Sequence, residues 1–408
     1  MLYSKILDQI LEAEECLDLT QFKFQGVNIW PLLRLEIYQY FLNKRPIYVR
    51  REQIGPLSFI VKLKNTFWGF LRFVQDFSDS FVGFNFSKGL SQTEVLYLST
   101  DVLRTFKYKG RDFNRIIDSL KIFLGKGIIL ETKLKKEKKD PFSQVYYMDT
   151  ASVVAVNKFR ILQNWRQDIK LLEPKLIDLK KFLNNRYSID LDIEEIKDYI
   201  IEVFGLRVYF KSLLSKVRPK IVFVDFYYHK KALALISASK AMGVKTIEMQ
   251  HGIQEGPIYS GWLNCPEMKF DFLPDYFWVW NEIAKKKHKS WQGNINGHDC
   301  LNVGDVFVDF YRAFVSFSGV VNVKKTKQIL VTLQDLREEH IKALNSKLVP
   351  AIIKLDLKEF TWIFRAHPEH KEKGYSWFNK YIGPNNFEGV YFDPGTCDLF
   401  QSIQESCL

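Results

Sequence analysis

Cysteine is scarce and scattered: Cys16, Cys265, Cys300, Cys397 and Cys407 are the five in 408 residues, and no two form a CxxC pair. That spacing excludes a zinc ribbon and a disulfide framework, and it fits a reducing cytosol. Long apolar runs are missing too, with no window of about 18 uncharged apolar residues to span a membrane. The N-terminal segment carries Asp8, Glu12, Glu14 and Glu15 and lacks the apolar core of a secretion signal. Neither GxGxxG nor GxxxxGK[ST] occurs, so the standard dinucleotide and P-loop sites are unsupported. HExxH, GxSxG and an aspartate-rich metal loop are also missing, and no metal or cofactor is expected. Asp190-Leu191-Asp192 has the letters of a DxD motif but sits in a polar, helix-rich stretch. With Glu195 three residues on, Asp192 reads as the N-cap of a helix starting at Ile193.

What the chain does have is aromatic content of 15%, including 34 Phe, and a formal charge of +12. A basic surplus of this size serves nucleic acid, an anionic membrane face or phosphorylated substrates, and composition does not choose among them. No recognisable RNA- or DNA-binding module is present, so nucleic acid is not expected as a partner.

Along the chain, Ile6, Leu7, Ile10 and Leu11 recur at helical spacing. Gly26 and Asn28 mark a turn, and Pro31 suits the first turn of a helix in which Trp30 and Arg34 are i, i+4 neighbours, a packing anchor with a structural arginine. Residues 58–74 gather Ile60, Val61, Leu63, Phe67, Trp68, Phe70, Leu71 and Val74 on one helical face opposite Lys62, Asn65, Thr66, Gly69 and Arg72. Such a face suits a membrane interface or packing on its own domain or a partner. Residues 1–90 are thus expected to form an N-terminal helical region able to associate with a membrane.

Short apolar runs alternating with helical patterns then give an α/β reading. Strands are expected at 94–99, 127–130, 221–224, 245–249 and 276–280, with a helix at 112–124, a helical insertion over 150–217 and a further strand at Val303-Gly304-Asp305. The basic loop with Arg104, Lys107, Lys109, Gly110 and Arg111 either cradles an anion or is a solvated loop. A polar boundary at 316–327 precedes a second unit with strands at 328–334, 361–364 and 390–392 and helices at 338–356 and 397–404. The expected domains are 1–90, a Rossmann-like domain at 91–315 and a partial one at 316–408. Three strands are fewer than a self-sufficient nucleotide-binding half has, and the second domain reads as truncated.

Polar residues at strand ends are the candidates for chemistry, because open α/β sheets bind ligands outside the carboxyl ends of their strands. Asp225 follows the run Ile221-Val222-Phe223-Val224, and Gln250-His251-Gly252 follows the strand at 245–249. A histidine there, before a glycine that lets the backbone turn, can act as a general base or hydrogen-bond a phosphate. In the second unit Arg365-x-His367-Pro368-Glu369 projects cationic groups from a strand end, as a diphosphate requires; Arg-x-His can also cap a strand without a ligand. A histidine at a strand end of each unit implies a substrate bridged by both.

The order of these features resembles that of bacterial surface-polysaccharide glycosyltransferases of the two-Rossmann type, the GT-B fold. It runs strand, Asp225, helix, strand, Gln250-His251-Gly252, Pro274-Asp275-Tyr276 with Trp280 and Glu282, Val303-Gly304, linker, Thr332-Leu333-Gln334, helix, and Arg365-x-His367-Pro368. It is also similar to the polyol-phosphate transferases of teichoic-acid and capsule synthesis, though Ala366 stands where those relatives often have proline. The resemblance covers roughly residue 94 to the end, and Asn28-Ile29-Trp30-Pro31-Leu32-Leu33-Arg34 resembles an opening found in proteins of O-antigen and capsule clusters. It implies a metal-independent, membrane-peripheral enzyme at the cytoplasmic face, with a nucleotide-sugar donor and a lipid-linked glycan acceptor. His251 would be the base or an acceptor-site residue, Asp225 its support or rival, and Gln250, Gly252 and Glu282 would lie on the acceptor side. Arg365 and His367, with Glu369, would meet the donor phosphates, and Thr332 and Gln334 would line the donor side. The turn that normally completes the phosphate site would lie beyond Leu408.

Overall fold

Apolar alternation on both faces of a strand is what makes a buried parallel strand look like one continuous hydrophobic run. The run at 221–224 behaves this way: Val222 and Val224 pack on one face of the sheet and Phe223 on the other. The computed structural model describes residues 2–42, 90–132, 140–162, 165–252, 259, 271–292, 299–315, 328–333, 341–342, 344–354, 360–366, 371–385 and 389–393. Two compact units make up the chain, Met1–Phe314 and Val315–Leu408. Each is built on a parallel sheet.

The first unit opens with α1 (Leu2–Cys16), a small hairpin of β1 (Lys23–Phe24) and β2 (Val27–Asn28), and α2 (Trp30–Phe41). These helices belong to the unit's core, since Ile6, Ile10, Trp30, Leu32, Leu33 and Ile37 join the largest hydrophobic cluster. Trp30 Nε1 donates to Glu14 Oε1 at 2.8 Å and Arg34 Nε lies 3.3 Å from the same oxygen, with both side chains 1% exposed. Arg34 is therefore structural, as its spacing from Trp30 indicates.

The main sheet starts with β3 (Val95–Thr100), continues past a hairpin of β4 (Phe106–Tyr108) and β5 (Arg111–Phe113), and passes through α3 (Ile117–Leu124) to β6 (Ile128–Thr132) and β7 (Val145–Tyr147). Three helices follow, α4 (Asp149–Leu162), α5 (Trp165–Tyr187) and α6 (Ile193–Val217), which is the helical insertion read from the sequence. Asp192 caps α6, its Oδ1 accepting from the N–H groups of Glu194 and Glu195 at 3.0 and 3.1 Å. The chain then forms β8 (Ile221–Val224), α7 (Lys230–Ala241), β9 (Lys245–Met249), β10 (Tyr276–Val279), α8 (Glu282–Gln292), β11 (Asp299–Asn302) and α9 (Val306–Phe314).

Strand order is β11-β10-β9-β8-β3-β6-β7, all parallel. This is the doubly wound arrangement in which the first strand sits centrally and the chain reverses direction across the sheet. Leu96, Leu98, Leu130, Val222 and Val224 pack with α6, α7 and the N-terminal helices. On the opposite face Val95, Tyr97, Ile129, Phe223, Ile247 and Met249 pack with Ile117 and Leu120 of α3 and Val306 of α9.

Local expectations need correcting at two places. The segment before Leu124 is a hairpin and then a shorter helix, because Lys109 and Gly110 adopt positive φ (49° and 78°) and form a two-residue turn between β4 and β5. Val303-Gly304-Asp305 is a loop and not a strand: pairing with β10 is spent on Asp299–Asn302, Gly304 turns at φ 106°, and Asp305 Oδ1 caps α9 by accepting from Phe307 N at 2.9 Å.

The second unit has β12 (Gln328–Leu333), β13 (Thr361–Ala366) and β14 (Val390–Asp393) in that order, with α10 (Val349–Lys354) and α11 (Lys371–Tyr381). Its core is Leu333, Ile352, Trp362, Phe364, Trp377, Phe378 and Ile382. The amphipathic stretch 58–74 and the helix expected at 397–404 lie outside the described residues, and the helix expected at 338–356 does so in part. No helix among the described residues is long and apolar enough to cross a membrane.

One glycine tests the packing between β3 and β6. Gly127 sits at φ 113°, and a Cβ there would lie 2.9 Å from the Val95 carbonyl oxygen and against the Tyr97 ring. Gly127→Ala is expected to destabilise the first unit by about 3 kcal/mol through backbone strain and overpacking. Urea unfolding of the two proteins measures it, and equal stabilities would show that the loop accommodates a side chain.

Candidate functional site

A doubly wound sheet opens a crevice where the connections leave its central strands in opposite directions, here between the carboxyl ends of β3 and β8. Asp225, the residue after β8, fills the base of that opening and is fully buried. Its Oδ2 accepts from Thr100 N (2.8 Å), Thr100 Oγ1 (3.1 Å) and Ser99 Oγ (3.4 Å), and its Oδ1 accepts from Phe226 N (2.8 Å). His229 Nε2 stands 3.8 Å from Oδ1, beyond hydrogen-bond range. Oδ2 thus ties the end of β8 to the end of β3, and Oδ1 is committed to the backbone that follows β8.

The helix after β3 is where a nucleotide-binding sheet of this order would offer free N–H groups to a phosphate. Here that helix end is occupied by the chain itself. Asn114 Oδ1 accepts from Ile116 N and Ile117 N at 2.9 and 3.0 Å, and Asp118 Oδ2 accepts from Asn114 N at 2.9 Å. Arg104 is 2% exposed and joins the same cluster, donating to Asp118 at 2.9 Å and to both oxygens of Glu131 at 2.8 and 3.1 Å. Burial works against its charge, but the two carboxylates overcome that and push its pKa up. The other cations of the loop have local partners as well: Lys107 pairs with Asp112 at 2.6 Å, Arg111 with Asp140 at 3.5 Å, and Lys109 lies over the Tyr108 ring. Lys107, Lys109, Gly110 and Arg111 are exposed, as the solvated-loop reading has it, whereas Arg104 departs from both readings by lying buried between Asp118 and Glu131.

His251 follows β9 and is half-buried. Its ring lies 5.5 Å from Phe226 and 6.2 Å from Tyr228. Nδ1 faces the Met249 carbonyl oxygen at 3.4 Å, and Nε2 faces the Tyr228 hydroxyl at 3.4 Å. A carbonyl only accepts, so Nδ1 carries the proton and Nε2 presents its lone pair to the hydroxyl. Burial pushes the His251 pKa below the ordinary histidine value, against the opposing pull of Asp225 and of the Met249 and Asp225 backbone. A neutral imidazole with its lone pair directed at a hydroxyl is the arrangement that general-base catalysis needs.

The neighbouring candidates divide by role. Gln250 is 8% exposed and donates to the Gly252 carbonyl at 3.0 Å while accepting from Trp280 N at 2.8 Å, so it fastens the turn after β9 to the end of β10. Glu282 is exposed at the start of α8 and accepts from Asn302 Nδ2 at 3.2 Å. In the second unit Thr332, Arg365 and Asp393 are register partners across the carboxyl ends of the three strands. Thr332 is exposed, while Arg365 Nη1 donates to Asp393 Oδ2 at 2.9 Å. Gln334, His367 and Glu369 lie outside the described residues.

Tyr228 and Phe226, which wall His251, were not singled out from sequence. The signal was the aromatic run Phe226-Tyr227-Tyr228 directly after the strand-end aspartate. His288 was missed for a different reason: it sits in a basic helix yet is 2% exposed, stacked on Phe277 at 5.1 Å. Among the described residues no group of three His, Cys, Asp or Glu side chains is placed to hold a metal ion.

No family model and no curated protein matches the chain. Among solved structures it is similar to a putative UDP-N-acetylglucosamine 2-epimerase from Listeria monocytogenes, with 11% identity, coverage of 77% of this chain and 71% of that one, and a TM-score of 0.39. The UDP-GlcNAc 2-epimerase from Methanocaldococcus jannaschii gives 13%, 73%, 72% and 0.35 in the same order. The N-terminal domain of trehalose-6-phosphate phosphatase from Candida albicans gives 13%, 78%, 76% and 0.39. Likeness this loose carries no argument about chemistry, which rests on the chain's own residues.

His288 sets a pH dependence of stability. Burial, with the nearby Lys287 charge, pushes the His288 pKa down to about 4. The unfolded chain therefore binds more protons between the ordinary histidine value and about 4, so the stabilising contribution is complete above the upper limit and is lost as pH falls through the window. His288→Phe is expected to reduce the loss of stability between pH 7 and pH 4 by on the order of 3 kcal/mol. Paired urea melts of wild type and variant at the two pH values check this, and parallel pH profiles would show that His288 does not titrate in the window.

Proposed function

We propose that this chain is a glycosyltransferase that moves a sugar from a nucleotide-sugar to the hydroxyl of a lipid-linked glycan in capsule or O-antigen assembly. The observation that carries it is the neutral His251 at a strand end, its Nε2 lone pair facing a hydroxyl. In the reaction the acceptor hydroxyl takes the place of the Tyr228 hydroxyl. His251 Nε2 receives the acceptor proton as the acceptor oxygen bonds to the anomeric carbon. The bond from that carbon to the diphosphate oxygen breaks, and the nucleoside diphosphate leaves with the electron pair. Arg365 and His367, with Thr332, Gln334 and Glu369, serve the donor, where fixed cationic donors offset the developing charge without a metal. Gln250, Gly252 and Glu282 shape the acceptor side. Asp225 acts as a positioning residue, because its oxygens are already committed to β3 and to its own strand end. A lipid-linked acceptor places the work at the cytoplasmic membrane face, for which the +12 charge is suited.

Incubation with a panel of UDP-sugars and with labelled CDP-glycerol tests the reaction. Release of UDP with sugar transfer is expected. Release of CMP without sugar transfer would instead identify a polyol-phosphate transferase, and failure to bind UDP, GDP, CDP or CMP in calorimetry would identify a non-catalytic partner. His251→Ala is expected to lower kcat by about 10²- to 10⁴-fold with an unchanged melt. Activity should also fall as pH drops through a pKa below the ordinary histidine value. Wild-type turnover in that variant would remove His251 as base.

The Arg365–Asp393 pair supplies a separate check. Its two side chains are 11% and 10% exposed. A donor phosphate must compete with Asp393 for the guanidinium, so Asp393→Asn is expected to tighten nucleotide binding several-fold and Arg365→Ala to weaken it. Identical dissociation constants in all three proteins would make the pair purely structural.

A further inference from the structure

Catalysis by a strand-end side chain requires that the chain beyond the strand be held, because a displacement of about 1 Å costs up to 10²-fold in rate. His251 lies in such a place, just after Met249, the last residue of β9. Successive residues of a strand face opposite sides of the sheet. Ile247 and Met249 pack in the cluster with α3 and α9, so Glu248 and Gln250 face the other side. Both reach forward into the chain that follows. Gln250 Nε2 donates to the Gly252 carbonyl at 3.0 Å, across His251. Glu248 is fully buried and its Oε1 accepts from the Tyr259 hydroxyl at 2.7 Å, eleven positions further along.

Tyr259 is buried as well. Burial, with the Glu248 charge, pushes its pKa well above the ordinary tyrosine value, so the phenol keeps its proton and donates. The bond closes the chain from Glu248 to Tyr259 into a ring that contains His251, and closing a loop restricts the residues within it. The Tyr259 side chain is seated among aromatic neighbours, with centroids 5.7 Å from Tyr227, 5.8 Å from His288, 6.1 Å from Tyr228 and 6.3 Å from Phe277. Tyr228 meets it edge-on at 85°, and the Tyr228 hydroxyl faces His251 Nε2 at 3.4 Å. Tyr228 therefore has Tyr259 on one side and His251 on the other.

We propose that Tyr259 is a positioning residue for His251: its hydrogen bond to Glu248 fixes the Tyr228 ring, and Tyr228 fixes the imidazole. Phenylalanine at 259 would fill the same space but would give Glu248 no such donor, so the assignment depends on the hydroxyl and not on the ring. It rests on the reading of His251 as the base and adds to it what holds that base in place.

An NMR titration of the full chain, labelled at histidine Cε1, tests it without any substrate; the His251 resonance is the one of seven that His251→Ala removes. Tyr259→Phe is expected to raise the His251 pKa toward the ordinary histidine value, as the loosened ring gains water. In turnover it should lower kcat about 10-fold and leave the donor KM unchanged. Asp225 and Tyr228, the titratable groups that act on the ring, stay in place in the single variants. Glu248→Met should behave like Tyr259→Phe, whereas Glu248→Gln keeps an acceptor for the phenol and should titrate lower than Glu248→Met. Both of these lack the charge, so their difference reports the hydrogen bond. In a Tyr228→Ala background Tyr259→Phe should add nothing. Leu183→Ala, in α5 and the same apolar cluster, shows what a merely structural loss does: a lower melting temperature with the His251 titration unmoved. Equal titrations in wild type and Tyr259→Phe, or an undiminished effect without the Tyr228 ring, would overturn the assignment. Should Tyr259→Phe fail to fold, equal titrations in Glu248→Gln and Glu248→Met would overturn it instead. If His251→Ala keeps full turnover while the titration moves as expected, the base is wrong and the positioning stands; the reverse pattern leaves the base and removes the role of Tyr259.

Discussion

The Asp225 carboxylate is the constraint on which the first unit's site depends. Removing a carboxylate entirely from water costs several kcal/mol unless its lone pairs are filled. Here Thr100, through backbone and side chain, Ser99 and Phe226 fill them. Hydrogen bonds to a charged group contribute about 1.5 to 3 kcal/mol each, enough together to offset that burial. The result is a cross-link between the ends of the two central strands, at the one place where the sheet's connectivity leaves an opening. Phe226, Tyr227 and Tyr228 leave this anchor at a fixed angle, and His251 is packed against what they build.

Two consequences follow for chemistry. Partial burial among aromatic rings favours the neutral imidazole of His251, and the Met249 carbonyl selects the tautomer whose other nitrogen faces the Tyr228 hydroxyl. The same edge of the sheet offers no ready phosphate cradle at the first helix. Asn114 and Asp118 already occupy the end of α3, and Arg104 is locked between Asp118 and Glu131. A nucleotide diphosphate is poorly served there, which is why the proposed reaction assigns the donor to the second unit.

The N-terminal helices show how far the core of this unit extends. Glu14, Trp30 and Arg34 form a buried hydrogen-bonded set inside the same hydrophobic cluster as β8 and α7. Burial pushes the Glu14 pKa up, with the Arg34 charge and the Trp30 hydrogen bond opposing it. Residues 2–42 are therefore fixed to the sheet's helical face by packing as well as by polar contacts.

Much of this was legible in the sequence, for identifiable reasons. The runs 221–224 and 245–249 read as strands because apolar residues fill both faces of a parallel sheet, and Gly243, at φ 72°, marked the helix end before β9. Asp192 as a cap and Arg34 as a structural cation follow from contacts a few residues long. By contrast, nothing local shows that Asp225 is spent on Thr100 or that Arg104 is sealed between two carboxylates. Those pairings join residues from different strands, so strand order decides them. Sequence by itself determined the alternation of strand and helix and placed polar residues at strand ends, because periodicity and capping are short-range. Only the tertiary structure decided which of those polar residues bind each other and which remain available, because charge and hydrogen-bond partners are set by neighbours across the sheet.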